Sequence, residues 1–598
     1  MMIADRPLTA LLEQAWRDLQ PFDGRLALTW RVALVCALVT GMAMVFRVPE
    51  AAISCYLVIF LMKEDAVTNC VMGIGVILLA TLVVFLMIPV INVALDSPAM
   101  RLGIIFGVSC VFLFLASATP LGEQAAIVAL IVAFIMTLVT YIPVGQIADQ
   151  GLLAAWKMAS LPMAVMILFS LAFGTPAQTL VRRLIVKRLT SAAESLEAGA
   201  ETPQTTELLG EGNAASRAQM QLVRALHLVP KQNSTWLRGA VETSYLLMLA
   251  APVPQEALRP AERHAIATAM RDAARAIARG ERPPPPAFDT LPEIARPLEQ
   301  GLAALADPEG GTLPAPEPAP FLAPDAFSDP KHQRYAIKTS VAAVICYLIY
   351  TGLQWDDIHT ALITCYVVAL GTTGETMRKL TLRITGCLIG AGMGVAALLF
   401  VMPWLTSVGG LMILVFCGVL VAGWVSSGNE RISYAGVQIA LAFLLTVLNG
   451  FGPSFEFSQA GSRVMGILVG LFVISVIFTQ FWPTSISGKI REEIEDITGR
   501  LLQLAKQPRA ARLNDLSTSE HVQTALEELQ NAILTASFEP RHQRLAADTL
   551  AQYREAWSTL AALHNTVRFE PEVSEAALDC LRRYARRDGN AGDTGAGL

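Results

Sequence analysis

The sequence predicts an all-α polytopic membrane protein: two parallel six-helix repeats, about 12 transmembrane helices, with two cytosolic helical domains. Three observations carry that prediction. Of 598 residues, 54% are hydrophobic and only 16% charged, against roughly 25% charged in soluble globular proteins. The apolar residues gather in two blocks, 25–176 and 331–483, while 177–309 and 484–587 have the composition of soluble protein. The two blocks also repeat each other. Ile53-Ser54-Cys55-Tyr56 returns 310 residues later as Ile363-Thr364-Cys365-Tyr366, and at the same offset Cys36 matches Cys346 and Asp65 matches Glu375. At an offset of 307, Cys110 matches Cys417, Glu123 matches Glu430 and Asp149 matches Glu456. Ordered matches within segments of like hydropathy indicate duplication, which in a membrane protein points to a path between the halves.

The elements follow in order. In residues 1–24, Leu8, Leu11, Leu12, Ala15, Trp16 and Leu19 fall on one helical face, opposite Glu13, Arg17 and Asp18. That pattern predicts an amphipathic helix in the membrane interface rather than a cleaved secretory signal; a soluble-core helix is the alternative. The first block divides at 29–46, 51–62, 70–91, 102–118, 124–142 and 152–173, the second at 336–353, 358–371, 384–402, 408–425, 434–449 and 464–482. The second segment of each block falls short of the roughly 20 residues of an upright span, so it must break, borrow polar flanks or sit among other helices. Both soluble regions open with charged, amphipathic helices after Pro176 and Pro483 and lack strand-like alternation. Residues 310–330 are Pro-rich and read as an extended linker, and the Gly-rich tail at 588–598 reads as disordered.

Lys and Arg set the orientation. One side collects Arg25, Lys63, Arg182, Arg183, Lys187, Arg188, Lys338, Arg378, Lys379, Arg383, Arg431, Lys489 and Arg491, the other only Arg47, Arg101, Lys157 and Arg463. The first side is therefore cytoplasmic, with both termini and both soluble regions inside. An even number of spans per half gives both halves one orientation, related by an axis along the membrane normal.

Several common chemistries are absent. No G-x-x-x-x-G-K-[ST] loop occurs, so active transport must draw on an ion gradient or another subunit. The nine cysteines form neither a disulfide framework nor a Cys/His metal pattern, no cofactor is indicated, and a net charge of −5 without a basic run argues against nucleic acid.

Candidate site residues come from the repeat and from charges near the membrane, which are costly to hold there without a role or partner. Cys55, Tyr56, Thr360, Cys365 and Tyr366 lie on the two short segments and are the candidate substrate path, with packing as the alternative. Asp65 and Glu375 end those segments on the cytoplasmic side, and His359 lies at the outer mouth of the second. With Arg378 they form a candidate proton-coupling or gating set; solvated loop acids and a Glu375–Arg378 ion pair are the alternatives. Lys157 and Arg463 start the sixth span of each half and suggest an anion-attracting mouth, or cations snorkelling to the interface. The spacings Gly386, Gly390, Gly394 and Gly466, Gly470 are small-residue helix contacts.

The runs His359-Thr360-Ala361-Leu362-Ile363-Thr364-Cys365, Gly371-Thr372-Thr373-Gly374-Glu375, Lys379 to Gly386 and Glu430 to Ala440 resemble the fusaric acid resistance and aromatic acid exporter family. Within it, the chain is most similar to the multidrug-resistance efflux branch of Gram-negative inner membranes. The resemblance implies an inner-membrane exporter of aromatic carboxylic acids or amphiphilic drugs. It also implies a periplasmic membrane-fusion adaptor and an outer-membrane channel as partners. Plant malate channels, whose six-span subunits pair, are similar too, so a passive organic-anion channel and a homo-oligomer are further readings. A scaffold or sensor follows these, and a membrane enzyme comes last. The first half departs from the pattern, with Lys63-Glu64-Asp65 where the second has Thr373-Gly374-Glu375.

Overall fold

The computed structural model describes residues 16–587 apart from 17, 22–23, 95–96, 139–144, 226–230, 289–290, 308–320, 356–357, 359 and 449–456. The interfacial helix expected within 1–24, most of the Pro-rich linker, the tail and His359 lie outside the described residues. Regular structure among those described is helical. In chain order it comprises α1 (Arg25–Val45), α2 (Ala51–Leu61), α3 (Ala66–Ala94), α4 (Pro98–Ala118), α5 (Glu123–Leu138) and α6 (Gly145–Phe173). There follow α7 (Ala177–Ala198), α8 (Pro203–Gly210), α9 (Ala214–Ala225), α10 (Lys231–Ala250), α11 (Pro260–Ala278) and α12 (Arg296–Ala306). Next are α13 (Pro330–Gly352), α14 (Thr360–Val368), α15 (Thr373–Phe400), α16 (Val408–Ser426), α17 (Glu430–Val447) and α18 (Phe457–Gln480). The last are α19 (Ile486–Ala505), α20 (Arg509–Asn514), α21 (Leu516–Thr535), α22 (Ala547–Phe569) and α23 (Glu575–Arg587). They fall into two compact units, one of residues 1–174 with 319–484 and the other of 175–318 with 485–598.

The first unit holds the apolar helices. Among the described residues, seven are long and apolar enough to cross a membrane: α1, α3, α4, α6, α13, α15 and α16. The apolar parts of α2, α5, α17 and α18 are shorter, and α14 has only 9 residues. Such short helices leave backbone groups at their ends that hydrocarbon cannot satisfy, so they must be covered by other helices. They are: Val58 and Cys55 on α2, and Ala361, Cys365 and Val368 on α14, are fully buried.

Helices of the two sequence blocks interleave. α1 packs on α16 and α13 on α4; α2 packs on α17 and α14 on α5. Two hydrophobic cores result, and each draws on both blocks. One combines α4, α5, α13, α14 and α18, the other α1, α2, α6, α16 and α17. Specific contacts pin these seams. Arg25 donates through Nε to the Trp424 carbonyl at 2.9 Å and lies 4.6 Å over its ring, and Thr29 meets Ser427 at 3.1 Å. Between α15 and α17 the backbones nearly touch. A Cβ at Gly386 would lie 2.5 Å from the Ala435 carbonyl oxygen, and one at Gly390 would lie 2.3 Å from that of Ile439. Glycine is what permits this approach.

Pro162 lies inside α6 and cannot donate to the carbonyl four residues earlier. That carbonyl, of Met158, instead accepts the Ser54 hydroxyl of α2 at 2.9 Å. A break in one helix therefore anchors the short helix beside it.

In the second unit, the two soluble segments read separately in the sequence pack together. Arg217 on α9 makes a two-point pair with Glu242 on α10 (2.6 and 2.8 Å) and reaches Glu520 on α21 at 2.9 Å. Leu513 and Phe569 join the core formed mainly by α7, α10, α11 and α12. Arg188 is buried against the Asn213 side chain and the Gly212 and Val241 carbonyls, and burial pushes its guanidinium down to about 10.

Candidate functional site

The short helices α2 and α14 position the residues of the expected substrate path. Each has a cysteine turned toward the helix before it. The Cys55 thiol lies 3.4 Å from the Cys36 carbonyl, and the Cys365 and Cys346 sulfurs are 3.5 Å apart. All four are free thiols, fully buried, and fill the helix pairs α1–α2 and α13–α14. Tyr366 is buried, its hydroxyl 2.6 Å from that of Ser109 on α4. Tyr56 is half-buried and stacks on Phe60 of its own helix, ring centres 6.2 Å apart. Thr360 starts α14, and its carbonyl accepts the Thr364 hydroxyl at 2.8 Å.

The matched acids both sit at helix starts. Asp65, before α3, accepts from the Thr68 amide at 2.9 Å, the Val67 amide at 3.2 Å and the Thr68 hydroxyl at 2.5 Å. Glu375 closes a reciprocal cap on α15: its carboxylate accepts the Thr372 amide while the Thr372 hydroxyl accepts the Glu375 amide, both at 3.2 Å. The second matched pair, Glu123 and Glu430, also begins helices, α5 and α17. At Asp65 and Glu375 the carboxylates answer the free amides and positive dipole end of a helix, one physical reason for the recurrence of that pair. Arg378 follows Glu375 on α15 and is half-buried. Lys157 lies on α6, partly exposed; the side chain of Arg463, on α18, is outside the described residues, and the expected two-cation mouth with it.

One residue that the sequence groups with the basic side is buried inside a helix. Arg383, 10 residues into α15, is 2% exposed. Its guanidinium donates to the Tyr434 hydroxyl of α17 and the Thr364 hydroxyl of α14, each at 3.2 Å. Its Nε has no partner, and no carboxylate pairs with it among the described residues. Gln438, one turn beyond Tyr434, is fully buried with its amide nitrogen unpartnered. The clue in the sequence was spacing: Arg383 lies well past the turn that carries Arg378 and Lys379, inside a continuous helix. His332, ahead of the first expected segment of the second block, also belongs to this unit, buried with Nδ1 2.8 Å from the Ser117 hydroxyl. An open apolar groove of about 590 Å³ between α13 and α18, lined by residues such as Ile345, Leu468 and Phe472, carries no polar group and lies apart from Arg383.

Comparison with known proteins finds relatives for part of the chain. Multidrug resistance protein MdtO of Escherichia coli K12 is 31% identical over 299 residues, covering 47% of this chain and 43% of that protein. MdtO of Shigella flexneri is 30% identical over 299 residues, with 47% and 44% covered. Inner membrane protein YccS of Escherichia coli K12 is 31% identical over 150 residues, 25% of this chain and 20% of that protein. The chain thus matches less than half the length of its MdtO relatives. No solved structure matches. Residues 332–579, which include Thr364, Glu375, Arg383, Tyr434 and Gln438, match the Fusaric acid resistance protein family, and the chain carries a domain of that family.

Proposed function

We propose that this protein is an inner-membrane efflux transporter that exports aromatic carboxylic acids or amphiphilic drugs, driven by protons. The observation that carries the reading is the reciprocal interleaving of the two blocks. The first helix of each packs on the fourth of the other, and the second on the fifth. Neither block has a core of its own. That is the pattern of two parallel repeats about an axis along the membrane normal, with a path between them lined by the short second helices. On this reading all twelve apolar helices belong to the membrane domain, and both termini and the second unit are cytoplasmic.

Glu375, Lys379 and Arg383 follow at four-residue intervals along one side of α15, and Lys379 Nζ lies 5.1 Å over the Tyr434 ring that Arg383 also touches. This lane supports Glu375 as the coupling carboxylate, with His359 near the outer mouth. The MdtO likeness supports a drug-export role and, with it, a periplasmic adaptor and an outer-membrane channel as partners.

The test is transport by the full chain in proteoliposomes carrying an imposed proton gradient. Accumulation of benzoate that collapses with a protonophore is expected. Flux that ignores the protonophore but follows voltage would identify a passive anion channel, and no flux of acids or drugs would refute the transporter reading. Single cysteines at Ala200, Asp307 and Thr518 should resist an impermeant maleimide in intact cells; labelling of any of them would overturn the orientation.

A further inference from the structure

Around Arg383, donors outnumber acceptors. A guanidinium has five N–H donors and accepts nothing. Two meet the hydroxyls of Tyr434 and Thr364, the latter already donating to the Thr360 carbonyl, while Nε has no partner. One turn along both α15 and α17, the buried Gln438 amide leaves its nitrogen unpartnered, and its oxygen meets the Cys387 sulfur at 4.0 Å. A buried charge without a counter-ion among the described residues is costly to hold. The repeat supplies no second cation. The residue 310 positions before Arg383 is Gly73, and those 307 before Tyr434 and Gln438 are Ile127 and Ile131.

We propose that Arg383, with Thr364, Tyr434 and Gln438, forms the cargo site of the transport path and takes the carboxylate of a monoanionic aromatic acid. The proposal rests on the exporter reading and adds the groups that hold the cargo. A carboxylate is acceptor-only, carries one negative charge and matches the guanidinium fork in two-point geometry. The ring of the acid has aromatic neighbours in Tyr434 and in Tyr56, which lies within electrostatic reach of Arg383 from α2. The site thus joins α2, α14, α15 and α17, helices of both blocks. In the conformation described Arg383, Thr364 and Gln438 are buried, while Tyr434 and Tyr56 are half-buried at its edge.

The experiment uses the purified full-length chain in detergent, with radiolabelled benzoate binding and the benzoate-induced rise in Tm as readouts. Benzamide serves as the uncharged analogue and chloride as the simple anion. Saturable benzoate binding is expected, with no stabilisation by benzamide and none by chloride at equal concentration. Arg383→Met should weaken binding at least about tenfold, since a desolvated charge pair is lost. It should do so without lowering Tm, because removing an unpaired buried cation relieves a cost rather than breaking a pair. Arg383→Lys keeps the charge and loses the fork, and Gln438→Leu removes the spare amide donor; both should weaken binding by a smaller factor. Wild-type benzoate affinity in Arg383→Met, or equal binding of benzamide, would overturn the proposal. Should Arg383→Met fail to accumulate, unchanged affinity in both other variants would overturn it instead. A wild-type protein that moves neutral or cationic drugs but never binds benzoate sinks the cargo site and leaves the exporter standing. Absence of all transport sinks the exporter.

Discussion

Replacing Glu375 by glutamine separates the two roles its carboxyl can hold. As a cap, the side chain accepts the Thr372 amide at 3.2 Å, and the Thr372 hydroxyl returns the favour to the Glu375 amide at 3.2 Å. Glutamine keeps an acceptor oxygen, so the reciprocal cap survives. What Glu375→Gln removes is one negative charge from the first turn of α15, about 0.3–1 kcal/mol of helix-dipole stabilisation. Thr372→Ala instead deletes the cap itself, at about 0.5–2 kcal/mol. A purely structural acid therefore makes Thr372→Ala the worse variant in both Tm and export, with export following protein level. Proton coupling reverses the order for export. Glu375→Gln should then accumulate normally, melt close to wild type and fail to concentrate benzoate against a protonophore-sensitive gradient. Thr372→Ala should melt lower yet export normally per molecule. The assay is proteoliposome transport across a pH series beside thermal unfolding of the same preparations. Gradient-driven export by Glu375→Gln with an unshifted pH profile would refute coupling at this residue.

Three further outcomes follow from packing and burial. Alanine at both Gly386 and Gly390 should strongly reduce membrane accumulation, measured by quantitative blotting, because each Cβ would sit 2.5 Å or less from a carbonyl oxygen of α17; normal levels would mean the α15–α17 seam is looser than described. Ser54→Ala should lower stability by about 1–3 kcal/mol, the cost of an unsatisfied buried acceptor, since it strands the Met158 carbonyl freed by Pro162; an unchanged Tm would show that another donor replaces the hydroxyl. In the second unit, burial and then the neighbouring Arg568 push His564 down to about 3. A histidine held neutral in the fold contributes stability that is present above its unfolded value and lost as pH falls through the window from about 6.5 to about 3. The loss is at most about 1.4 kcal/mol per pH unit. His564→Leu should flatten that decline in thermal unfolding between pH 6.5 and 4; an identical decline in both proteins would assign it to other groups.

Much of the fold was legible because its cause is local. Apolar runs broken by Pro49-Glu50 or Asp96-Ser97-Pro98 have to be helices in a membrane, since only there are all backbone groups satisfied within the segment. The unequal lengths of α2 and α14 against their neighbours could be read the same way. Matched acids were visible as a repeat, but not as caps: whether an acid beside a turn is solvated, paired or bound to free amides depends on where the helix starts, within a residue or two. Thr372 and Thr68 decide that, and their geometry appears only in three dimensions. Interleaving of the two blocks was likewise not written in either one. A helix that is apolar all round announces burial without naming its partner, and the partner of α1 proved to be α16, some 360 residues away by first residue to last helix end. Arg383 marks the same boundary. By sequence it is one more cation among the basic residues near a turn. The tertiary structure carries it nearly three turns down α15, between helices of both blocks, where it is buried and no carboxylate among the described residues pairs with it. Burial of a charge is a property of the surroundings, and distant parts of the chain supply them.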